Sequence, residues 1–398
     1  MSRAASTSGS SVATRLAAFV LERHPFALAS VLTALDSAGQ AIGDSESSID
    51  AVRRKFAHDL EARLRTNGTA AGIANTTPGS SAPRRFDAAV EEVVRACDGF
   101  LRRAAIRASL SPDERREILR GMLLTRAVDN RLKTFFTSGE VRFGDAPFQG
   151  KGFRSLGQEA IYAAAIRLRR GETFRDEDEG EWRGDIVAPL IRDLGVALAM
   201  KPDGETVRLV LSAQMGKAGP PMNGKDLHIG DLSNGILPAA APLAVSTLNA
   251  AGMAMAFARE GSGRVALSFI GEGGSSLGEW HEAINLCAAR RLPAVFCVQN
   301  NQTALSTPQA DQSAVRVFAD KAIGYGIPGV TIDGTDADEV AATFAWAVER
   351  ARAGAGPALI ELVCMRMCGH AHHDDMLYLG KDPQASWEYA QLSEQGYA

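Results

Sequence analysis

Two residues with ligating oxygens stand at the ends of apolar, strand-like runs: Glu272 in SFIGEGGSSLGEW (268–280) and Asn301 closing AVFCVQNN (294–301). The first run stops at Gly271-Glu272-Gly273-Gly274, a helix opens near Ser276, and the second run stops at Asn300-Asn301. In a right-handed crossover the carboxyl ends of consecutive parallel strands share one sheet edge, so Glu272 and Asn301 should converge there. Gly271, Gly273 and Gly274 let the backbone approach a ligand, and the helix N-terminus behind them offers N–H groups to an anion, each favourable by about 0.3–1 kcal/mol. A carboxylate and an amide are hard oxygen donors, too few for a calcium cage but suited to Mg²⁺ that fills its octahedron with phosphate oxygens, a carbonyl and water. The segment therefore reads as a site for Mg²⁺ plus a diphosphate. A dinucleotide fingerprint fits less well, because position 276 is Ser and the next strand ends in amides, where that fingerprint has an acid. A phosphate-binding P-loop lacks its Gly-Lys-Ser/Thr, and an ordinary strand–turn–helix with an exposed Glu stays open on this segment alone.

The elements that must position these residues follow from the pattern around them. Apolar runs at 265–270 and 294–299 alternate with a helical period at 277–290, which predicts an α/β fold with a mostly parallel sheet and crossover helices. Ser111-Pro112-Asp113-Glu114 combines an N-cap, a first-turn proline and a capping-box acid, so a long helix should run from there towards Thr134. The weakly polar stretch 235–258 is broken by Pro238, Pro242, Ser246, Thr247 and Asn249 and reads as a buried helix, not a membrane span. Residues 1–110 differ in texture. Helical periods at 12–35 and 49–65 precede the linker-like GTAAGIANTTPGSSAP within 67–84, and an amphipathic stretch at 86–106 should pack on a partner surface. The chain thus divides into a helical N-terminal extension, 1–110, and a domain at 111–398.

With 398 residues, 43 Lys+Arg against 47 Asp+Glu and 45% hydrophobic residues, the chain is long and apolar enough for a large core. A formal net charge of -4 gives no basic surplus for a nucleic-acid backbone. The five cysteines read as buried reduced thiols; Cys364 and Cys368 lack the second ligand pair a structural zinc needs. A cytoplasmic location is expected, or the mitochondrial matrix if the Ser/Ala/Arg-rich N-terminus is a transit peptide.

The segment GEGGSSLGEWHEAINLCAARRLPAVFCVQNNQTALSTP (271–308) resembles the thiamine-diphosphate signature, Gly-Asp/Glu-Gly followed at a fixed interval by Asn-Asn. More broadly, residues 111–385 resemble the alpha subunit of 2-oxo acid dehydrogenase first components, the branched-chain type sharing Glu at position 272. The matching blocks are SPDERREILRGMLLTRAVDNRL, SLGQEA, DIVAPLIRDLG, APLAVSTLNAAGMAMA and MRMCGHAHHDD. The resemblance implies the thiamine-diphosphate-binding fold, thiamine diphosphate and Mg²⁺ as cofactors, and decarboxylation of a small 2-oxo acid with transfer of the acyl group to a lipoyl acceptor. It also implies a beta subunit that supplies the other cofactor half, in a heterotetramer of two alpha and two beta chains, and a lipoyl acyltransferase as a further partner.

Carried over by position, Glu272 and Asn301 become side-chain metal ligands and Thr303 a carbonyl ligand. Gly271, Gly273 and Gly274 line the diphosphate, Arg192 contacts it, and Leu243 lies near the pyrimidine segment. His370 matches a loop histidine that contacts the diphosphate and assists acyl transfer, and His228 matches a second histidine near the active-site channel. His372, His373, Asp374 and Asp375 read as a solvated loop, and His281 as a surface or interface residue. Two positions depart from the pattern: Ala371 stands where phosphorylation-controlled relatives carry serine, and Gln299 where the branched-chain type has an arginine. The loop HAHHDDMLYLG (370–380) also differs, so substrate and acceptor are open. A thiamine-dependent carboligase, an acetoin-cleaving enzyme and a silent nucleotide-binding scaffold are the alternatives; lipoyl acylation and thiamine dependence separate them.

Overall fold

The computed structural model describes residues 11–39, 43, 45–147, 152–176, 180–220, 222–224, 229–305 and 307–371. The chain divides into two compact units, Met1–Leu110 and Ser111–Ala398.

The first unit is helical: α1 (Val12–Arg23), α2 (Leu28–Ala38), α3 (Glu46–Asn67) and α4 (Ala82–Ala108). Apolar residues three or four apart make one stripe per helix, among them Val12, Leu16 and Val20 on α1, Ile49, Val52, Phe56 and Leu60 on α3, and Cys97, Leu101 and Ala105 on α4. These stripes meet in one core inside the unit, so the stretch at 86–106 finds its partner surface in the unit's own helices. Two boundaries differ from the sequence reading. The period at 12–35 is two helices, because Pro25 lacks an N–H and disfavours helical geometry at His24, whose φ is −141° and ψ 56°. The linker-like stretch ends early: Ser81 caps α4, and a proline in the first turn of a helix has no intrahelical N–H to lose.

In the second unit α5 (Pro112–Thr137) starts where its capping box predicts. Ser111 Oγ accepts from Glu114 N at 3.1 Å, and Glu114 Oε2 accepts from Ser111 N at 2.8 Å. Arg167 fixes the same carboxylate from a second segment at 2.8 Å. The α/β expectation holds. A five-stranded sheet contains β1 (Ile186–Ala188), β2 (Ala266–Gly271), β3 (Ala294–Asn300), β4 (Gly329–Asp333) and β5 (Ala358–Val363), in the order β1-β2-β3-β5-β4 and parallel throughout. Because side chains alternate across a strand, the two faces of β2 bury different partners. Ala266 and Ile270 join Phe257 of α6 (Val245–Glu260) and Trp280 and Ile284 of α7 (Gly278–Arg290) in one core. Phe269 stacks instead on Phe344 of the helix Ala337–Arg352, ring centroids 5.8 Å apart. The buried helix expected over 235–258 is shorter: α6 begins only at Val245, after a segment containing Pro238 and Pro242. Among the described residues no helix is long and apolar enough to cross a membrane.

Ser111→Ala removes the acceptor for the Glu114 N–H and is expected to lower stability by about 1 kcal/mol. A denaturant midpoint indistinguishable from that of the unmodified chain would show that the cap contributes nothing.

Candidate functional site

Strand register decides what meets at the sheet edge. Gly271 pairs with Gln299 across β2 and β3, so the residues that follow each strand emerge side by side. Glu272 is 1% exposed, and its Oε2 accepts the Asn301 backbone N–H at 3.3 Å. Its other oxygen, Oε1, is buried with no hydrogen-bond partner. Burial, above all, pushes the Glu272 carboxyl up from its ordinary range, while its own backbone N–H, the Asn301 N–H, the Gln312 side chain and Arg366 pull it down.

Asn300 and Asn301 are used differently. Asn300 donates to Gln309 Oε1 at 3.0 Å and to Glu361 Oε1 at 2.8 Å, tying β3 to β5. Asn301 belongs to the site: its Nδ2 donates to Gln158 Oε1 at 2.9 Å, and its Oδ1 accepts the Thr303 N–H at 3.4 Å. Thr303 lies in a tight two-residue ladder, 303–304 with 307–308, bent by positive φ at Gln302 (71°) and Leu305 (56°).

The glycines differ in what they tolerate. A Cβ on Gly273 would lie 2.4 Å from Ala304 Cβ, and one on Gly274 would lie 2.8 Å from Ile270 Cγ1 and 3.5 Å from Leu243 Cδ1, which places Leu243 against the turn. A Cβ on Gly271 would meet nothing within 4 Å, so the protein itself does not require glycine there. A short 3₁₀ turn, Gly274–Ser276, leads into α7, and neither start has a side-chain cap. An uncapped helix start beside the strand ends is disposed to take an anion.

Arg192 and His370 lie in contact. Arg192 is 8% exposed; its Nη2 donates to the His370 carbonyl at 2.7 Å and lies 3.3 Å from His370 Nδ1, while Nη1 donates to the Arg154 carbonyl at 2.6 Å. Phe153 packs edge-on to His370 at 5.2 Å and under the Arg192 guanidinium at 5.9 Å. Burial, reinforced by repulsion from Arg366, lowers the Arg192 pKa to about 10, which still leaves it charged at neutral pH. His228, His372, His373, Asp374 and Asp375 lie outside the described residues. His281 is partly buried and its Nδ1 meets the Tyr325 hydroxyl. Gln299, at the departure noted above, donates to Asp193. All five cysteines are free and buried.

A family model described as dehydrogenase E1 component matches residues 178–391. The 2-oxoisovalerate dehydrogenase subunit alpha of Bacillus subtilis is 35% identical over 270 residues, 67% of this chain and 75% of that one. The chain belongs to the dehydrogenase E1 component family. Shorter matches join it to two further members. The 3-methyl-2-oxobutanoate dehydrogenase subunit alpha of Mycobacterium tuberculosis is 46% identical over 138 residues, 35% of this chain and 38% of that one. The pyruvate dehydrogenase E1 component subunit alpha of Staphylococcus aureus is 44% identical over 143 residues, 35% of this chain and 39% of that one.

In this E1 component several buried polar residues of the site region were not singled out from sequence. Asp129 on α5 accepts the Ser155 N–H, and its Oδ1 has no partner. Gln158 supports Asn301, Asp193 accepts from Leu190 N at 2.7 Å, and Arg366 donates to the Cys368 carbonyl at 3.1 Å and the Leu305 carbonyl at 2.9 Å. Membership of the matching blocks SPDERREILRGMLLTRAVDNRL, SLGQEA, DIVAPLIRDLG and MRMCGHAHHDD was the one signal that pointed to Asp129, Gln158, Asp193 and Arg366. Among the described residues no three His, Cys, Asp or Glu side chains form a metal cluster, so a metal at Glu272 would draw its other oxygens from amides, carbonyls and its ligand.

Burial raises the Asp129 pKa to about 7 against the pull of the Ser155 N–H and Arg154; Glu159 raises it further and Arg192 lowers it. The folded chain therefore binds a proton that the unfolded chain, with a carboxyl near 3.8, has released. This contribution to stability is complete below about pH 4 and is lost as pH rises through about 7. Asp129→Asn keeps an acceptor for Ser155 and stays neutral, so its stability relative to the unmodified chain should rise from pH 5 to pH 8 in urea unfolding. Parallel pH curves for the two proteins would refute the assignment.

Proposed function

We propose that the chain is the alpha subunit of a thiamine-diphosphate-dependent 2-oxo acid dehydrogenase, which decarboxylates a small 2-oxo acid and passes the acyl group to a lipoyl acceptor. The observation that carries this reading is the partnerless, buried Oε1 of Glu272, beside Asn301 and an uncapped helix start. A buried carboxylate oxygen without a hydrogen bond is costly, and a divalent cation would satisfy it. The donors suit Mg²⁺, with Glu272 and Asn301 as side-chain ligands and the Thr303 carbonyl as a third. Gly271, Gly273 and Gly274 would admit the diphosphate, Arg192 would neutralise it, and Leu243 would border the pyrimidine half.

Thiamine diphosphate, when bound, would supply the nucleophilic carbon and the electron sink that decarboxylation of a 2-oxo acid needs. The chain's own part is to hold, orient and move protons. A guanidinium only donates, so the 3.3 Å contact with Arg192 suits a neutral His370 whose Nδ1 is unprotonated and whose proton sits on Nε2. His370 would thus offer an Nε2–H as a hydrogen-bond donor beside the diphosphate and the transferring acyl group. His228 is assigned the second proton-handling position near the channel. The reading includes a beta subunit in a two-alpha, two-beta assembly, a lipoyl acyltransferase as acyl acceptor, a cytoplasmic location, and an assembly role for the helical unit.

The test is cofactor content. The chain purified with its beta partner in Mg²⁺ should carry close to one thiamine diphosphate per alpha chain, and Glu272→Ala should lose at least about tenfold in affinity. Equal cofactor in both proteins would remove Glu272 from the metal site.

A further inference from the structure

Gln158 belongs to SLGQEA, a block that carries no role in the reading above. It is 1% exposed, and its Oε1 accepts Asn301 Nδ2 at 2.9 Å. An asparagine amide has one oxygen and one NH₂ group of nearly equal shape, and only the oxygen ligates a hard cation. Rotation by half a turn about its last bond would put nitrogen where the metal needs oxygen. Two contacts bear on the orientation of Asn301. The Thr303 backbone N–H can only donate, which marks the side facing it as oxygen, but at 3.4 Å it is a weak restraint. Gln158 Oε1 at 2.9 Å holds the opposite side and there accepts from nitrogen.

Gln158 is itself held. Its backbone N–H donates to the Ser155 carbonyl at 2.8 Å, and the Ser155 N–H donates to buried Asp129. Gly157, at φ +87°, lies so close to Met365 that a Cβ would come within 2.0 Å of the Met365 carbonyl oxygen. The Met367 N–H donates to the Leu156 carbonyl at 3.0 Å. The segment that carries Gln158 is therefore clamped from both sides, which keeps its amide beside Asn301, while its Nε2 is buried with no hydrogen-bond partner in the structure.

We infer that Gln158 is a positioning residue that keeps Asn301 Oδ1, not Nδ2, turned towards the metal. The inference rests on the metal-site reading given above. It is tested by titrating Mg²⁺ into the chain purified with its beta partner, at saturating thiamine diphosphate, and following cofactor binding by calorimetry. Outer-shell partners of metal ligands typically contribute about 10–100-fold to metal affinity. Gln158→Met should accordingly raise the Mg²⁺ concentration for half-saturation by at least about tenfold. In an Asn301→Asp background both side-chain termini are oxygens and no orientation has to be chosen, so the same Gln158→Met change should cost less than about twofold. A cost of equal size in both backgrounds would mean that Gln158 acts through packing, and no cost in either would mean that it does nothing; both overturn the inference. Gln158→Glu keeps an acceptor oxygen in place and should stay within about threefold of the unmodified protein. A tenfold loss in that variant overturns the inference even if the methionine variant fails to fold. If the unmodified complex bound no thiamine diphosphate in Mg²⁺, the metal-site reading itself would fall, a result distinct from any difference between Gln158 variants.

Discussion

A carboxylate oxygen held out of water without a partner is the constraint around which this sheet edge is organised. Leaving one buried acceptor unsatisfied costs on the order of 1–3 kcal/mol, more for a charged group, so such an arrangement persists only where the surroundings enforce it. Here the enforcement begins with strand pairing. The β2–β3 register sets Gly271 opposite Gln299, which brings the Asn301 N–H within reach of one Glu272 oxygen and leaves the other open. Successive side chains at a strand end point to opposite sides. Asn300 therefore turns to Glu361 of β5, and Asn301 is left to face the edge.

The next layer holds this edge by contacts that are remote in sequence. Leu156 and Gly157 lie against Met365 and Met367, close enough that no side chain fits at position 157. Its positive φ is a second reason, since residues with a Cβ avoid that region. The same clamp places Arg154, whose carbonyl accepts from Arg192, and the loop that carries His370. Backbone carbonyls, more than side chains, thus set where the guanidinium lies.

What could be read from sequence follows from the range of the interaction. Glu272, the glycine turn and Asn301 were legible because strand ends, turn glycines and a crossover helix are local patterns with a fixed spatial consequence. The start of α5 was legible for the same reason. Asp129, Gln158, Asp193 and Arg366 were not, because what makes them distinctive is burial beside residues far along the chain, and a lone Asp or Gln on a helix or loop looks solvated. Pro25 shows the opposite failure: the apolar period continues past it, and the proline's missing N–H overrides the period.

The electrostatics of the buried arginines bind these observations together. Arg192 and Arg366 direct their hydrogen bonds to the carbonyls of Arg154, His370, Cys368 and Leu305. A carbonyl satisfies an N–H without cancelling the charge, so each guanidinium keeps a positive charge in a poorly solvated place. They repel one another, which is one reason why the Arg192 pKa falls to about 10. In isolation that is an unfavourable arrangement, since buried like charges lose hydration and the nearby Asp129 and Glu272 carboxyls, themselves pushed up by burial, offset them only in part. It becomes favourable when a multiply charged anion is present, because cations already fixed and desolvated lose little further freedom or hydration on binding it. The orphan oxygen of Glu272 makes the complementary demand for a cation. On the proposed reading a magnesium ion and a diphosphate together would meet both demands, each ion reducing the cost of burying the other, and neither alone would do so.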